Sequence, residues 1–474
     1  MKYDYDLVII GQRPAAIAAA DLAITWGARV ALVMSSDRSQ DTAVMAPLAI
    51  SGIDLLYGDY EFVPRRRRKP RSGTHWRGQT ARVDLQVVEP GRDSRSRVLR
   101  GRRYLLVPDA CVLVPAIPGL DQTPHVTIAN REDIRHWLTQ IDALPPDQRP
   151  QRAIVYGGRS LVSLELAMTL QDQGISTHLI SSETTLLTQE EMLDRTGKTE
   201  TASLLKLWQL HAIANSLTCD LNCTISHVQW VGQELTLHTT TPAFTTQSFT
   251  ADVLLIADGL VPRFDRVHLQ ACGLDIRGDH LWVDRYLRTT HPQIYACAAA
   301  LRGHDAESIA THEALTATRN ALTPWIDQVP NYSAIPWGIT TRFGFARVGL
   351  NLTQARVKHP GAIAIDLNLQ CQDILGSGLH GSDGVPVAAQ VIVTATGTLI
   401  GATIIGDRTA DLIAPFALAI GRRASINDWH TWAGLPSIAT NLITETYRIW
   451  RDQWWQARPG WRDRVRSWFD DRRG

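Results

Sequence analysis

Residues 3–33 read YDYDLVIIGQRPAAIAAADLAITWGARVALV. A short apolar run, a tight turn at Gly11, an alanine-rich stretch and a second apolar run spell strand, turn, helix, strand. Apolar runs without polar alternation belong to parallel sheets covered on both faces, so this is the opening β-α-β unit of a doubly wound α/β fold. The same grammar returns in RAIVYGGRSLVSLELAMTLQDQGISTHLI, residues 152–180, after a join marked by Pro145, Pro146 and Pro150. Two dinucleotide-binding sheets of Rossmann type in one chain are therefore expected. Strands are expected at 336–350 and 386–405 and a helix over about 408–421, which together read as a C-terminal α+β module.

The chain has 474 residues, enough for about three domains with large cores. With 44% hydrophobic and 20% charged residues, disordered and collagenous classes are excluded. Six cysteines make no disulfide framework for so long a chain. Residues 5–10 read as a strand where a secretory signal would need an apolar helix, so a cytoplasmic location is expected. No run of eighteen apolar residues occurs, which leaves only peripheral attachment to a membrane open. The formal charge is +1, but it is strongly segregated. Residues 65–103 hold thirteen Arg and one Lys against Asp84, Glu89 and Asp93, a net +11. Of the 15 tryptophans, seven (Trp429, Trp432, Trp450, Trp454, Trp455, Trp461, Trp468) fall in the last 46 residues.

Five further strings extend the pattern: VPAIPGLD at 114–121, VLLIADGLVPRFD at 253–265, LWVDRYLRTTHPQIYA at 281–296, IPWGITTRFGFARVGLNLTQAR at 335–356 and LIGATIIGDRTADLIAPFALAI at 399–420. In this order, from residue 4 to about 445, the chain resembles the pyridine nucleotide-disulfide oxidoreductases of the glutathione reductase, dihydrolipoamide dehydrogenase and mercuric reductase type. The resemblance implies an FAD-type domain at 1–147 and 263–325, an inserted NAD(P)-type domain at 148–262, and a dimerisation domain at 333–450 that makes a homodimer. A Trp/Arg-rich amphipathic tail, 451–474, lies beyond it.

In that family electrons pass from NAD(P)H through flavin to two closely spaced cysteines after the second strand. A thiolate beside the flavin is a chemical requirement. Here ALVMSS is followed by DRSQDTAVMAPLAISGIDLLYGDYEF, which contains no Cys. Cys219 and Cys223 are four apart and would share a helix face, but the resemblance puts them in the NAD(P) domain, away from the flavin. Cys111, Cys272, Cys297 and Cys371 read as core or loop residues. The family's His-Pro-Thr-x-x-Glu motif, which supplies the acid-base pair, is matched by Leu435, Pro436, Ser437, Ile438, Ala439 and Thr440. Leu and Thr exchange no protons near neutral pH. No catalytic residue and no metal ligand set is therefore assigned.

The cofactor sites are altered more gradually. The first G-x-G-x-x-G/A turn reads Gly11, Gln12, Arg13, Pro14, Ala15, Ala16; Arg13 occupies the second glycine's place and could contact phosphate itself. Met34 and Ser35 stand where an acidic residue would bind ribose. Val107, Pro108 and Asp109 replace the family's Ala-Thr-Gly turn. Ala298 and Ala299 replace its Gly-Asp, whose carboxylate binds the ribityl chain. The resemblance thus implies FAD at a weakened site. In the second unit the glycine positions fall on Gly158, Ser160 and Ser163, with Glu165 following, and Asp258 and Gly259 match the family's later turn. NAD or NADP is implied there, with neither an acid nor an arginine obvious at Ser181 and Ser182. Glu165, which in the family pairs with a Lys on the missing redox helix, reads as solvated or as a helix former.

Residues 65–71, RRRRKPR, and the following strands ARVDLQVV and YLLV are expected to form an exposed hairpin of a small meander. A solvated face, an acidic protein partner or an anionic membrane surface would each suit this segment and the tail. Nucleic acid is disfavoured because Trp76 and Tyr104 are its only interleaved aromatics. In the tail, Trp461, Val465, Trp468 and Phe469 share a helix face. Two functional readings stand side by side: a catalytically degenerate homodimeric scaffold or regulatory binding protein, and an FAD-dependent NAD(P)H oxidoreductase with a non-disulfide acceptor.

Overall fold

The computed structural model describes residues 3–35, 52–64, 83–88, 96–184, 217–232, 234–241, 245–264, 269–278, 280–301, 307–323, 325, 327–369, 387–431, 434 and 437–473. They divide into two compact units. The first comprises 1–116, 127–133 and 256–331; the second comprises 117–126, 134–255 and 332–474.

The first unit is built on a five-stranded sheet ordered Ile294–Ala296, Gly101–Leu106, Tyr5–Ile10, Val30–Met34, Asp54–Tyr57, with every neighbouring pair parallel. Both of its faces are dry. Leu7 and Ile9 point into a cluster with Ala15, Ala16, Ala19, Ala20 and Ala23 of helix Pro14–Thr25 and Ala314 and Ala317 of helix Glu307–Leu322. Alanine spacing lets these two helices pack closely against each other. Val8 and Ile10 point the other way, towards Phe62 and Leu85 of the antiparallel meander Asp59–Pro64, Val83–Val88, Ser96–Leu99. Tyr104, fully buried, ties meander to sheet: its hydroxyl accepts from Gly101 N at 2.9 Å and donates to Val83 O at 3.1 Å, and its ring meets Phe62 edge-on at 5.4 Å.

The basic segment is thereby divided. Its expected strand at 83–88 is in the meander, but YLLV belongs to Gly101–Leu106, a central strand of the parallel sheet rather than part of an exposed hairpin. The run at 65–71 lies outside the described residues.

The second unit holds the other Rossmann-type sheet, with strands Thr218–Asp220, Ser176–Ile180, Arg152–Tyr156 and Val253–Ile256 in that order. Helix Leu161–Asp172 is buried along almost its whole length. Its C-terminal module is a five-stranded antiparallel sheet, Trp337–Ile339, Gly344–Gly349, Leu399–Gly406, Val387–Val393, Ile363–Leu369. Helices Thr409–Gly421 and Ile438–Gln456 bury Phe416, Ile420, Leu442 and Trp450 against it. The fold is thus α/β with two Rossmann-type domains and a C-terminal α+β domain. No helix among the described residues is long and apolar enough to cross a membrane.

Gly11 decides where the first helix leaves the sheet. Its φ is +147°, and a Cβ there would lie 2.1 Å from the Val107 carbonyl oxygen. That contact is with backbone and cannot be relieved by a side-chain rotation. Gly11→Ala is expected to destabilise the chain by at least about 2 kcal/mol, read as a lower denaturant midpoint; an unchanged midpoint would show that the turn yields.

Candidate functional site: two phosphate-binding turns

In open α/β sheets, ligands bind beyond the C-terminal ends of the strands. The two turns that follow Tyr5–Ile10 and Arg152–Tyr156 occupy that position in their respective units. The cavities do not. One of about 240 Å³, lined by Asp6, Trp26, Arg102, Arg103 and Thr323 among others, sits at the N-terminal end of the first sheet. A broader hollow lined by Trp137, Ile141, Gln151 and Asp252 among others sits at the N-terminal end of the second. Strand chemistry locates the sites better than concavity does here.

In the first unit Gly11 keeps the turn open, and Arg13 is the extended N-cap residue of helix Pro14–Thr25, with Pro14 at its first position. Arg13 makes no side-chain cap; its Nη2 instead donates across the turn to Ala110 O at 3.3 Å. Ala15 and Ala16 are buried against the sheet. Arg13 also acts on Glu307, the first residue of helix Glu307–Leu322. Burial pushes the Glu307 carboxyl up, while Arg13 and Arg131 draw it back down and Glu132 adds to the rise. A guanidinium thus stands at a helix N-terminus, where the helix dipole also favours an anion.

Nearby in the same unit, the strand Ile294–Ala296 ends on Cys297 and a 3-10 turn, Ala298–Leu301. Ala298 has φ +58°, the left-handed region where the resembling family has glycine. Its N–H donates to Glu313 Oε2 at 2.7 Å, and Glu313 is 4% exposed. A buried carboxylate therefore clamps a turn whose own ligand carboxylate has become Ala299. Asp258, buried, and Gly259, at φ +88°, form the turn after Val253–Ile256; Gly259 O accepts from Leu113 N at 3.0 Å. In fit, these residues offer pyrophosphate a glycine turn, a helix end and a guanidinium, but offer a ribityl chain no carboxylate at Ala299.

The second turn is closed on itself. Ser160 caps helix Leu161–Asp172, its Oγ accepting from Ser163 N at 3.3 Å. The Ser163 hydroxyl donates to Ser160 O at 2.8 Å and accepts from Gly158 N at 2.9 Å. Two backbone amides that a glycine-only turn would present to phosphate are thus engaged internally. Arg159 pairs with Glu183 at 2.7 Å. Glu183 lies three residues beyond the strand end at Ile180, so an inspection stopping at Ser181 and Ser182 misses it. Glu313 was also missed, because a buried mid-helix Glu carries no sequence signature.

Glu165 is neither solvated nor merely a helix former. It is 6% exposed, and its Oε1 accepts from Thr340 Oγ1 at 2.8 Å, pinning the helix to the segment after Trp337–Ile339. Cys219 and Cys223 are not on a helix: Cys219 is in strand Thr218–Asp220 and Cys223 follows the turn at Asn222. Both thiols are free, and burial, then the neighbouring Asp220 carboxylate, pushes Cys219 up to about 11. Cys223 and Cys272 are raised by burial as well, and Cys297 strongly so. Cys371, Leu435 and Pro436 lie outside the described residues. Ser437, within the stretch that matches the family's acid-base motif, caps helix Ile438–Gln456: its Oγ accepts from Thr440 N at 3.1 Å.

With this geometry in view, comparison with known proteins is informative. Residues 5–321 match the family model described as pyridine nucleotide-disulphide oxidoreductase, and the chain belongs to that family. It is 23% identical to the mercuric reductase of Bacillus cereus over 466 residues, covering 90% of this chain and 68% of that one. It is 27% identical over 205 residues to a mycothione reductase of Mycobacterium tuberculosis, covering 41% of this chain and 43% of that one. Among solved structures, LpdA of M. tuberculosis superposes with a TM-score of 0.73 at 18% identity, covering 94% of this chain and 99% of that one. RclA of Escherichia coli, described as an HOCl-induced flavoprotein disulfide reductase, gives 0.69 at 18% identity over 94% and 100%. These likenesses establish the fold.

Two measurements test the site description. Ala298→Gly should gain about 0.5–1 kcal/mol, because relief of a left-handed Cβ outweighs the entropy of glycine; a loss of stability in denaturant unfolding would contradict the strain. Alkylation mapped by mass spectrometry should modify exposed Cys111 readily at pH 8 and leave Cys219 slow until the pH approaches 11; equal rates at pH 8 would mean that Cys219 is a reactive thiol.

Proposed function

We propose that this chain is a catalytically degenerate, homodimeric member of its family, a cytoplasmic scaffold or regulatory binding protein that has lost disulfide chemistry. The cysteine complement carries this reading. No cysteine follows the second strand until Cys111, and the one closely spaced pair consists of thiols whose ionisation is disfavoured by burial. The loss of the acid-base motif agrees, since Ser437 and Thr440 serve as a helix cap. Under this reading the chain keeps the division into 1–147 with 263–325, 148–262, 333–450 and 451–474.

FAD, if held, would contact Gly11, Arg13, Pro14, Ala15 and Ala16, and would supply electron exchange with a nicotinamide. The ribityl contact missing at Ala299 makes this site weak, by about 1–3 kcal/mol for a lost hydrogen bond to a charged group. Gly158, Ser160, Ser163 and Glu165 are read as the remnant of an NAD or NADP site that now serves folding. A second reading, an FAD-dependent NAD(P)H oxidoreductase with a non-disulfide acceptor, draws on one observation: the Gly11 turn keeps its open conformation and gains a cation.

The visible absorption spectrum separates the two. The purified chain, mixed with excess FAD and freed of unbound ligand, is expected to carry far less than one flavin per subunit. A flavin band near one per subunit would overturn the scaffold reading.

A further inference from the structure

Helix Pro459–Arg473 is separated from Ile438–Gln456 by a short break and buries none of its residues. Its contact with the rest of the second unit is mainly with the preceding helix, including an edge-on meeting of Trp455 and Trp461 at 6.4 Å. Trp461 is 55%, Trp468 50% and Phe469 48% exposed. Such a concentration of exposed aromatic surface calls for a partner.

The distribution of charge says which one. At about 100° per residue, Trp461, Val465, Trp468 and Phe469 span an arc of roughly 100°. Arg464 flanks this arc on one side and Arg462, Arg466 and Arg473 on the other. Asp463 and Asp470 lie opposite its centre, and Asp471 lies beside Arg464, as far from the centre of the arc as Arg466 is. Asp463 does reach round to Arg462, at 3.6 Å. The charged residues nearest the two edges of the apolar face are thus cations, Arg462 and Arg473 on one side and Arg464 on the other. Arg472 falls within the aromatic arc, its guanidinium stacked over Trp468 at 4.4 Å.

We propose that helix Pro459–Arg473 lies in the surface of an anionic phospholipid bilayer, its aromatic face at the acyl boundary and its bordering arginines on the headgroup phosphates. Trp and Arg are the residues favoured at that depth, and Arg472 can run its stem along Trp468 while its guanidinium reaches phosphate. In a helix-helix interface with a second copy of the chain, the same Arg472 would be desolvated among aromatics without a carboxylate on that face to meet it. The inference does not depend on whether the chain binds flavin.

Flotation of the full chain with vesicles tests this. The chain should float with vesicles containing phosphatidylglycerol and remain behind with vesicles of phosphatidylcholine alone, and added salt should release it. Trp461→Ala with Trp468→Ala should lower binding at least about tenfold, as the loss of two buried indoles requires. Arg462→Glu with Arg464→Glu, which leaves the aromatic face intact, should lower it comparably. Circular dichroism and elution volume should be unchanged in both variants. Equal flotation with neutral and anionic vesicles, or none with either, would overturn the proposal. So would a Trp461→Ala, Trp468→Ala variant that changes oligomeric state while its vesicle binding stays intact, since the face would then cover a second copy.

Discussion

The first unit depends on one close approach, that of Gly11 to the carbonyl of Val107. Because nothing larger than hydrogen fits between them, strand Tyr5–Ile10 can turn within a few residues into helix Pro14–Thr25 and lay that helix back on its own sheet. The alanine face of the helix and Leu7 and Ile9 then share one cluster, while Val8 and Ile10 share another with the meander. A slower turn would leave one face of the parallel sheet wet, and such sheets do not stand with a wet face. The same geometry points the N-terminus of the helix beyond the strand ends.

The two candidate turns share one sequence grammar and are held by different contacts. At the first, Arg13 removes a glycine but does not fill the turn; its side chain spans to Ala110 O. At the second, serines fill the glycine positions with hydroxyls of the right length to satisfy Gly158 N and Ser163 N locally. A serine cap is stabilising whether or not a nucleotide is present. The second turn therefore has a reason to persist as a folding element, whereas Arg13, with Glu307 shifted by its neighbourhood, has the character of a site under electrostatic constraint.

Both β-α-β units were legible because apolar runs on either side of a glycine turn admit few other structures, and the C-terminal strands and helix fell close to their expected bounds. YLLV was placed in the wrong layer because it directly follows a run of arginines, and charge in sequence says nothing about which sheet a short apolar strand joins. Glu165, Glu183 and Glu313 eluded the sequence for a shared reason. Each carboxylate derives its role from a partner distant in sequence or from a turn brought near by folding: Thr340, Arg159 and Ala298 respectively. The spacing of Cys219 and Cys223 suggested a helix face, yet a strand and a turn with an αL asparagine hold them instead.

Several positions at which this chain departs from the family's pattern carry structural contacts of their own. Ser437 caps a helix by accepting from the backbone of Thr440, which stands where the resembling family has the glutamate of its acid-base pair, and Glu165 receives a hydroxyl where that family gives it a lysine. Glu313 holds Ala298 in a conformation that glycine would adopt unaided. In each case a polar group that would cost energy if left without a partner has one. These contacts help to keep both Rossmann-type sheets and the C-terminal module packed.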